Sequence, residues 1–187
     1  FAASAAASGR GSPFHSLGIT TIMDRTTFHL PFTNNRVPKW PCPKCGVGYL
    51  GLMPKTLVHR ETPESLREHS HEAWDPDWIR HVFSCIFECT NAECKEVVAC
   101  CGEGRVDFFE YEDQEHGWVQ ETADRFAPKY FNPSLVLMDI PKDCPPEATT
   151  HLFDSFALFF ADPGASLNCA RAAVEAVLTN LGIKRFA

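Results

Sequence analysis

From His81 to Cys89 the chain alternates between two sets of positions, Phe83, Cys85 and Phe87 against Val82, Ser84 and Ile86. A period of two predicts a strand. Glu96 to Cys101 is apolar and β-branched, Gly102-Glu103-Gly104 reads as a turn, and Arg105 to Glu112 is rich in Val, Phe and Tyr. Together these predict a hairpin. Tyr49 to Val58 predicts a strand pair broken at Pro54. Residues 61–80 break the β pattern. Thr62-Pro63-Glu64-Ser65 is a helix-start signal, and Trp74, Trp78 and Ile79 follow at helical spacing, so this stretch reads as a helical insertion.

The period changes again near the C-terminus. Five prolines (Pro128, Pro133, Pro141, Pro145, Pro146) mark 128–146 as a linker. A first helix then runs from near Pro145 to about Phe160, with Leu152, Phe156, Phe159 and Phe160 on one face. A second has Asp162 as N-cap, Pro163 at N1 and Gly182 as its stop. Leu167, Ala170, Val174, Val177, Leu178 and Leu181 form its stripe, with Arg171 and Glu175 four apart. Residues 1–22 are mostly Ala, Ser and Gly without periodicity, and predict a disordered tail or tag ahead of a natural start at Met23.

The chemistry sits in two cysteine knuckles, Cys42-Pro43-Lys44-Cys45-Gly46 and Cys89-Thr90-Asn91-Ala92-Glu93-Cys94. Thiolates two to four residues apart can bind one ion, and two such pairs complete a tetrahedral site. Four sulfurs leave no open coordination position, so Cys42, Cys45, Cys89 and Cys94 predict a structural Zn2+ rather than a catalytic one. The competing reading is ordinary buried thiols. The second knuckle has the wider gap, and Cys85, Cys100 and Cys101 lie near enough to substitute for a ligand. His69, His71 and His81 lie between the knuckles and read as exposed helix histidines, because four thiolates already fill the shell. The H-x-E partner of a zinc deaminase is absent upstream, and no nucleophile triad or phosphate loop stands out.

Charge narrows the partners. The net charge of −7 argues against bulk affinity for nucleic acid. It is unevenly spread: Arg36, Lys39, Lys44, Lys55 and Arg60 surround the first knuckle without an acid, whereas 103–124 carries eight acids and one base. Phosphate contacts through Lys39, Lys44 and Lys55 compete with a merely solvated face. Nine cysteines cannot all pair within one chain, and the C-x-x-C-G knuckle without a recognisable secretory leader predicts a reducing cytoplasm. No apolar run is long enough to span a bilayer.

From Phe126 onward, three segments carry a resemblance: Tyr130-Phe131-Asn132-Pro133-Ser134-Leu135, Ile140-Pro141-Lys142-Asp143-Cys144-Pro145, and Asn168-Cys169-Ala170-Arg171-Ala172-Ala173-Val174-Glu175. Leu178 and Gly182-Ile183 continue it. In order and spacing they resemble the bacterial domain of unknown function 4145, whose members often carry a cysteine-knuckle module in front. The resemblance implies a helical domain of the HEPN (higher eukaryotes and prokaryotes nucleotide-binding) class, with relatives on restriction-enzyme subunits and near phage-defence genes. The Arg and His that serve HEPN ribonucleases come late in that domain. Here they would lie beyond Ala187, so the resemblance implies a truncated copy without ribonuclease chemistry.

The expected fold is α+β: a zinc-ribbon-like antiparallel β module over 23–127, then a linker and a partial helical domain, a helix hairpin, over 128–187. The expected role is non-catalytic zinc-binding recognition or regulation, linked by the resemblance to restriction or phage defence. A nucleic-acid-binding ribbon and a fragment of a HEPN-like ribonuclease are the alternatives. The expected partner is a protein or a second copy, held through the apolar faces of helices 145–182.

Overall fold

The computed structural model describes residues 25–113 and 117–183. The expected tail over 1–22 and Met23 lie outside these residues. Among the described residues, five strands, β1 (Leu50–Leu52), β2 (Val58–Glu61), β3 (Arg80–Cys89), β4 (Val97–Asp113) and β5 (Gly117–Asn132), form one antiparallel sheet. The sheet curls into a half-barrel. Mixed helix and strand content was legible in the sequence. Much of the connectivity was not.

The sheet order is β1-β3-β4-β5, and β2 pairs with β3 on the same edge as β1. Tyr49 to Val58 is therefore not a strand pair. Leu50–Leu52 and the strand that begins only at Val58 each pair with β3 rather than with one another, and Pro54 and Lys55 turn the chain between them, Lys55 at φ +65°. Strand β3 alternates as its sequence implies: His81, Phe83, Cys85, Phe87 and Cys89 are all buried.

Gly102-Glu103-Gly104 makes no turn. Strand β4 runs straight through it, and these glycines serve close packing instead. A Cβ on Gly102 would fall 2.2 Å from the Ala127 carbonyl oxygen, and one on Gly104 would fall 3.0 Å from the Phe126 ring. The partner strand β5 was not expected at all. Its second half lies partly where a linker was read, because Pro128 suggests a break. Pro128 is accommodated at a bulge on an edge strand: Cys101 pairs with Tyr130 and Gly102 with Pro128, which leaves Lys129 extra.

One concave face holds the main core. Phe32, Trp40, Phe87, Phe126 and Leu135 are fully buried there, with Phe83, Cys85 and Cys100 beside them. The rings meet mostly edge to face, as for Phe32 and Phe83 at 5.3 Å and Trp40 and Phe87 at 5.6 Å. The backbone of Phe32 bonds to that of Phe126 in both directions, which covers part of the β5 edge. The Trp40 indole N–H donates to the Thr27 carbonyl at 3.0 Å.

The region expected as a helical insertion holds one short helix, α1 (Pro63–Glu68), and a 3-10 turn at Pro76–Trp78. Thr62 caps α1 by accepting from the Ser65 N–H at 3.2 Å. Trp74 and Trp78 do not share a helix. Trp74 lies beside His69 and Trp78 beside His71.

Two longer helices follow, α2 (Pro146–Leu158) and α3 (Pro163–Asn180). Asp162 caps α3 by accepting from Ala165 at 2.9 Å, and Gly182, at φ +75°, ends it. They pack through small residues: Ala148, Ala173 and Ala176, with Ser166 donating to the Ser155 carbonyl at 2.9 Å. The face buried on α3 is thus not the one its bulkiest residues mark. Leu167, Val174, Leu178 and Leu181 are exposed, because a close helix contact needs small side chains. Phe156 is buried, and Phe159 and Phe160 pack against the sheet core, with Phe160 4.9 Å from Phe131. No helix among the described residues is long and apolar enough to cross a membrane.

Candidate metal centre

The two knuckles meet at one end of the sheet. Cys89 ends β3, Cys94 lies in the turn to β4, and Cys42 and Cys45 precede β1. The pairing of Leu50 with Cys89 sets the first knuckle over the second. All four sulfurs lie within 4.8 Å of one another, a grouping that can hold a metal ion. Two separations run from one knuckle to the other, Cys42 to Cys94 and Cys45 to Cys89, each 3.7 Å. An ion about 2.3 Å from each of four tetrahedral sulfurs requires sulfurs roughly 3.8 Å apart. The donor set therefore fits a tetrahedral thiolate-bound ion.

Each knuckle turns its backbone N–H groups toward its sulfurs. Lys44 donates to the Cys42 sulfur at 3.4 Å, Gly48 to Cys45 at 3.5 Å and Asn91 to Cys89 at 3.4 Å. The contacts on Cys45 and Cys89 favour the thiolate form. Backbone donation from Gly48 and Val47 lowers the Cys45 thiol to about 6, whereas burial pushes Cys89 up to about 12. The tight turns need particular residues. Gly46 sits at φ +63°, and a Cβ on Gly48 would lie 2.6 Å from the Cys89 sulfur. The longer second knuckle absorbs its extra residues in a turn where the Asn91 side chain accepts from Glu93 and Lys95 takes φ +50°.

The rival ligands lie elsewhere. Cys85 and Cys100 face each other across β3 and β4 inside the core, and Cys101 is exposed on the opposite face. Cys85 does share a face with Cys89, but four residues of strand span about 13 Å, too far to ligate. Hydrogen bonding with Cys85 and burial push the Cys100 thiol upward, so it stays protonated and packs as an apolar group. Among the described residues, no histidine enters the sulfur cluster. His69 pairs with Glu61 at 2.8 Å, and the His71 ring accepts from the Ala73 N–H. His81 is no exposed helix residue: it is buried on β3, where it approaches Asp124 at 3.8 Å.

The three lysines considered for phosphate contact are near the site but differ in their surroundings. Lys44 pairs with Glu96 at 2.7 Å, and that hydrogen bond raises its ammonium above the ordinary value. Lys39 stands over the Tyr49 ring at 5.9 Å. Lys55 is exposed at the turn between β1 and β2.

Comparison with known proteins corrects one expectation. Neither the curated proteins nor the solved structures include a match to this chain. The domain 4145 resemblance is overturned, and with it the HEPN-like, restriction and phage-defence reading that rested on it. Its motifs lay between Tyr130 and Ile183, whereas the matching family covers the sheet and both knuckles and leaves α2 and α3 outside. Residues 30–131, more than half of the chain, match the family described as Domain of unknown function (DUF8608), and the chain belongs to that family.

Proposed function

We propose that this chain is a non-catalytic recognition protein fastened by one structural Zn2+, which Cys42, Cys45, Cys89 and Cys94 hold in a zinc-ribbon-like arrangement. The observation that carries this reading is the sulfur spacing of 3.7 Å across the two knuckles. Bound there, zinc supplies a cross-link and no reactive position, since four thiolates complete its shell. The backbone N–H donors at Lys44, Gly48 and Asn91 offset part of the charge that four thiolates bring. Free thiols throughout fit a reducing compartment.

Recognition falls to the surface left open. On α3 and its C-cap, Leu167, Arg171, Val174, Leu178 and Leu181 recur at alternating steps of four and three, the seam of a coiled coil. Its four apolar members are exposed, and the seam suits a second copy of the same helix. Nucleic-acid contact through Lys39, Lys44 and Lys55 has less support, because Glu96 already neutralises Lys44.

Metal analysis of the purified protein tests the zinc reading. One zinc per chain is expected, lost in Cys94→Ser and kept in Cys85→Ser. Much less than one zinc, or retention in Cys94→Ser with loss in Cys85→Ser, would overturn it.

A further inference from the structure

Strand register assembles three arginines that are far apart in sequence. Arg80 on β3 lies directly opposite Arg105 on β4, and Arg105 lies directly opposite Arg125 on β5. Opposed residues share a face of the sheet with Cβ atoms about 5 Å apart, and like charges so placed repel one another. The three side chains line one cavity of about 340 Å³ together with His29 and Glu103.

Asp107 relieves part of the repulsion. Its two oxygens meet the Nε of Arg105 at 2.8 Å and the Nε of Arg125 at 2.7 Å. Both of these contacts run through Nε, so among the described residues neither spends an Nη of the two guanidiniums, and the Nη ends can meet a ligand. Arg80 places one Nη against the backbone carbonyls of Asp77 and Ile79, which anchors its head beside the row. Glu103 is largely exposed, with Lys129 3.8 Å away. Three arginines and Lys129 set against Asp107 and Glu103 leave two positive charges uncompensated, in a chain whose net charge is −7.

We propose that the Arg80–Arg105–Arg125 row binds a phosphate group carried on a small molecule. A phosphomonoester dianion matches the two surplus charges. Its tetrahedral oxygens can meet planar guanidinium forks from three strands at once, a match that lysines would not provide. The cavity is the size of a metabolite headgroup rather than of a polymer track.

Calorimetric titration of the full chain with inorganic phosphate and with phenyl phosphate tests this. One saturable site per chain is expected, with chloride failing to compete and phosphate raising the melting temperature. Arg105→Gln should weaken binding by roughly tenfold or more, since it removes a charge-assisted bond. Arg105→Lys, which keeps the charge and loses the fork, should fall between the two. Arg80→Gln changes an exposed side chain and keeps the test open if the Arg105 variants misfold; it too should weaken binding, while Arg36→Gln should not. The proposal is overturned by the absence of saturable binding at millimolar phosphate, or by unchanged affinity in Arg105→Gln or in a folded Arg80→Gln protein. Binding of a single-stranded oligonucleotide without binding of phenyl phosphate would also overturn it, in favour of a polymer surface.

Discussion

Gly48 is the residue on which the candidate metal centre most visibly depends. Any side chain there would press on the Cys89 sulfur and on the Asn91 backbone, at 2.6 and 2.8 Å. Gly48→Ala should therefore cost on the order of 1–3 kcal/mol and lower the chelator concentration that strips the metal. A competition titration against a chromogenic chelator measures this, and an unchanged midpoint would count against so close an approach of Gly48 to the sulfur. His81 makes a different prediction. Burial holds its imidazolium below the ordinary value of 6.5, against the opposing pull of Asp124, with His59 and Glu61 also facing it. The unfolded chain then takes up this proton first as pH falls, so the contribution of His81 is full above pH 6.5 and is lost as pH drops toward its folded value. His81→Leu should flatten the dependence of the denaturation midpoint on pH below 6.5 relative to the parent chain. The cysteines were largely legible at this scale, because ligand spacing within a knuckle is local. The environment of His81 was not, because Asp124 and His59 reach it from other strands.

At the scale of elements, β4 shows how a local signal can mislead. Gly-Glu-Gly in isolation favours a turn. Here Gly102 and Gly104 let β5 and the Phe83 and Phe126 rings approach β4 closely. Gly102→Ala should lose about 1–3 kcal/mol, because its Cβ would meet the Ala127 oxygen at 2.2 Å and the bulge backbone cannot yield as a side chain would. Gly117 has open space around it and only its φ of +72° to satisfy, so Gly117→Ala should cost about 1 kcal/mol. Urea midpoints of the two variants compare them directly; equal losses would place the cost in backbone freedom rather than in contact. The helix caps at Thr62 and Asp162 read correctly from sequence because a cap bond spans only three residues. Which face of α3 meets α2 was not legible, because hydrophobicity marks large side chains, while close packing against α2 selected Ala173 and Ala176.

For the whole molecule, the knuckles close one end of a sheet whose aromatic core lies alongside them. Removal of the proposed ion should therefore lower stability without abolishing the fold. Loss of several kcal/mol from a chain of this size corresponds to a fall in melting temperature of roughly 10 °C or more. Calorimetry with and without chelator measures it, and coincident transitions would show that no ion contributes to folding. The proposed self-association can be read by sedimentation: the parent chain should run as a dimer and Leu178→Asp as a monomer with its helical circular dichroism intact, and a monomeric parent chain would count against it. The sequence by itself determined what acts over a few residues: the period of β3, the two cysteine pairs, the caps of α1 and α3, and the presence of both strand and helix. Only the tertiary structure decided which thiols meet. The pairing of β1 with β3 sets Cys42 and Cys45 beside Cys89 and Cys94 and leaves Cys85 and Cys100 in the core. Register likewise decided that Arg80, Arg105 and Arg125 form one row. The physical reason is that a strand's neighbours are chosen by burial of the shared aromatic face and by the bulge at Lys129, quantities distributed over the whole sheet that no short window of sequence contains.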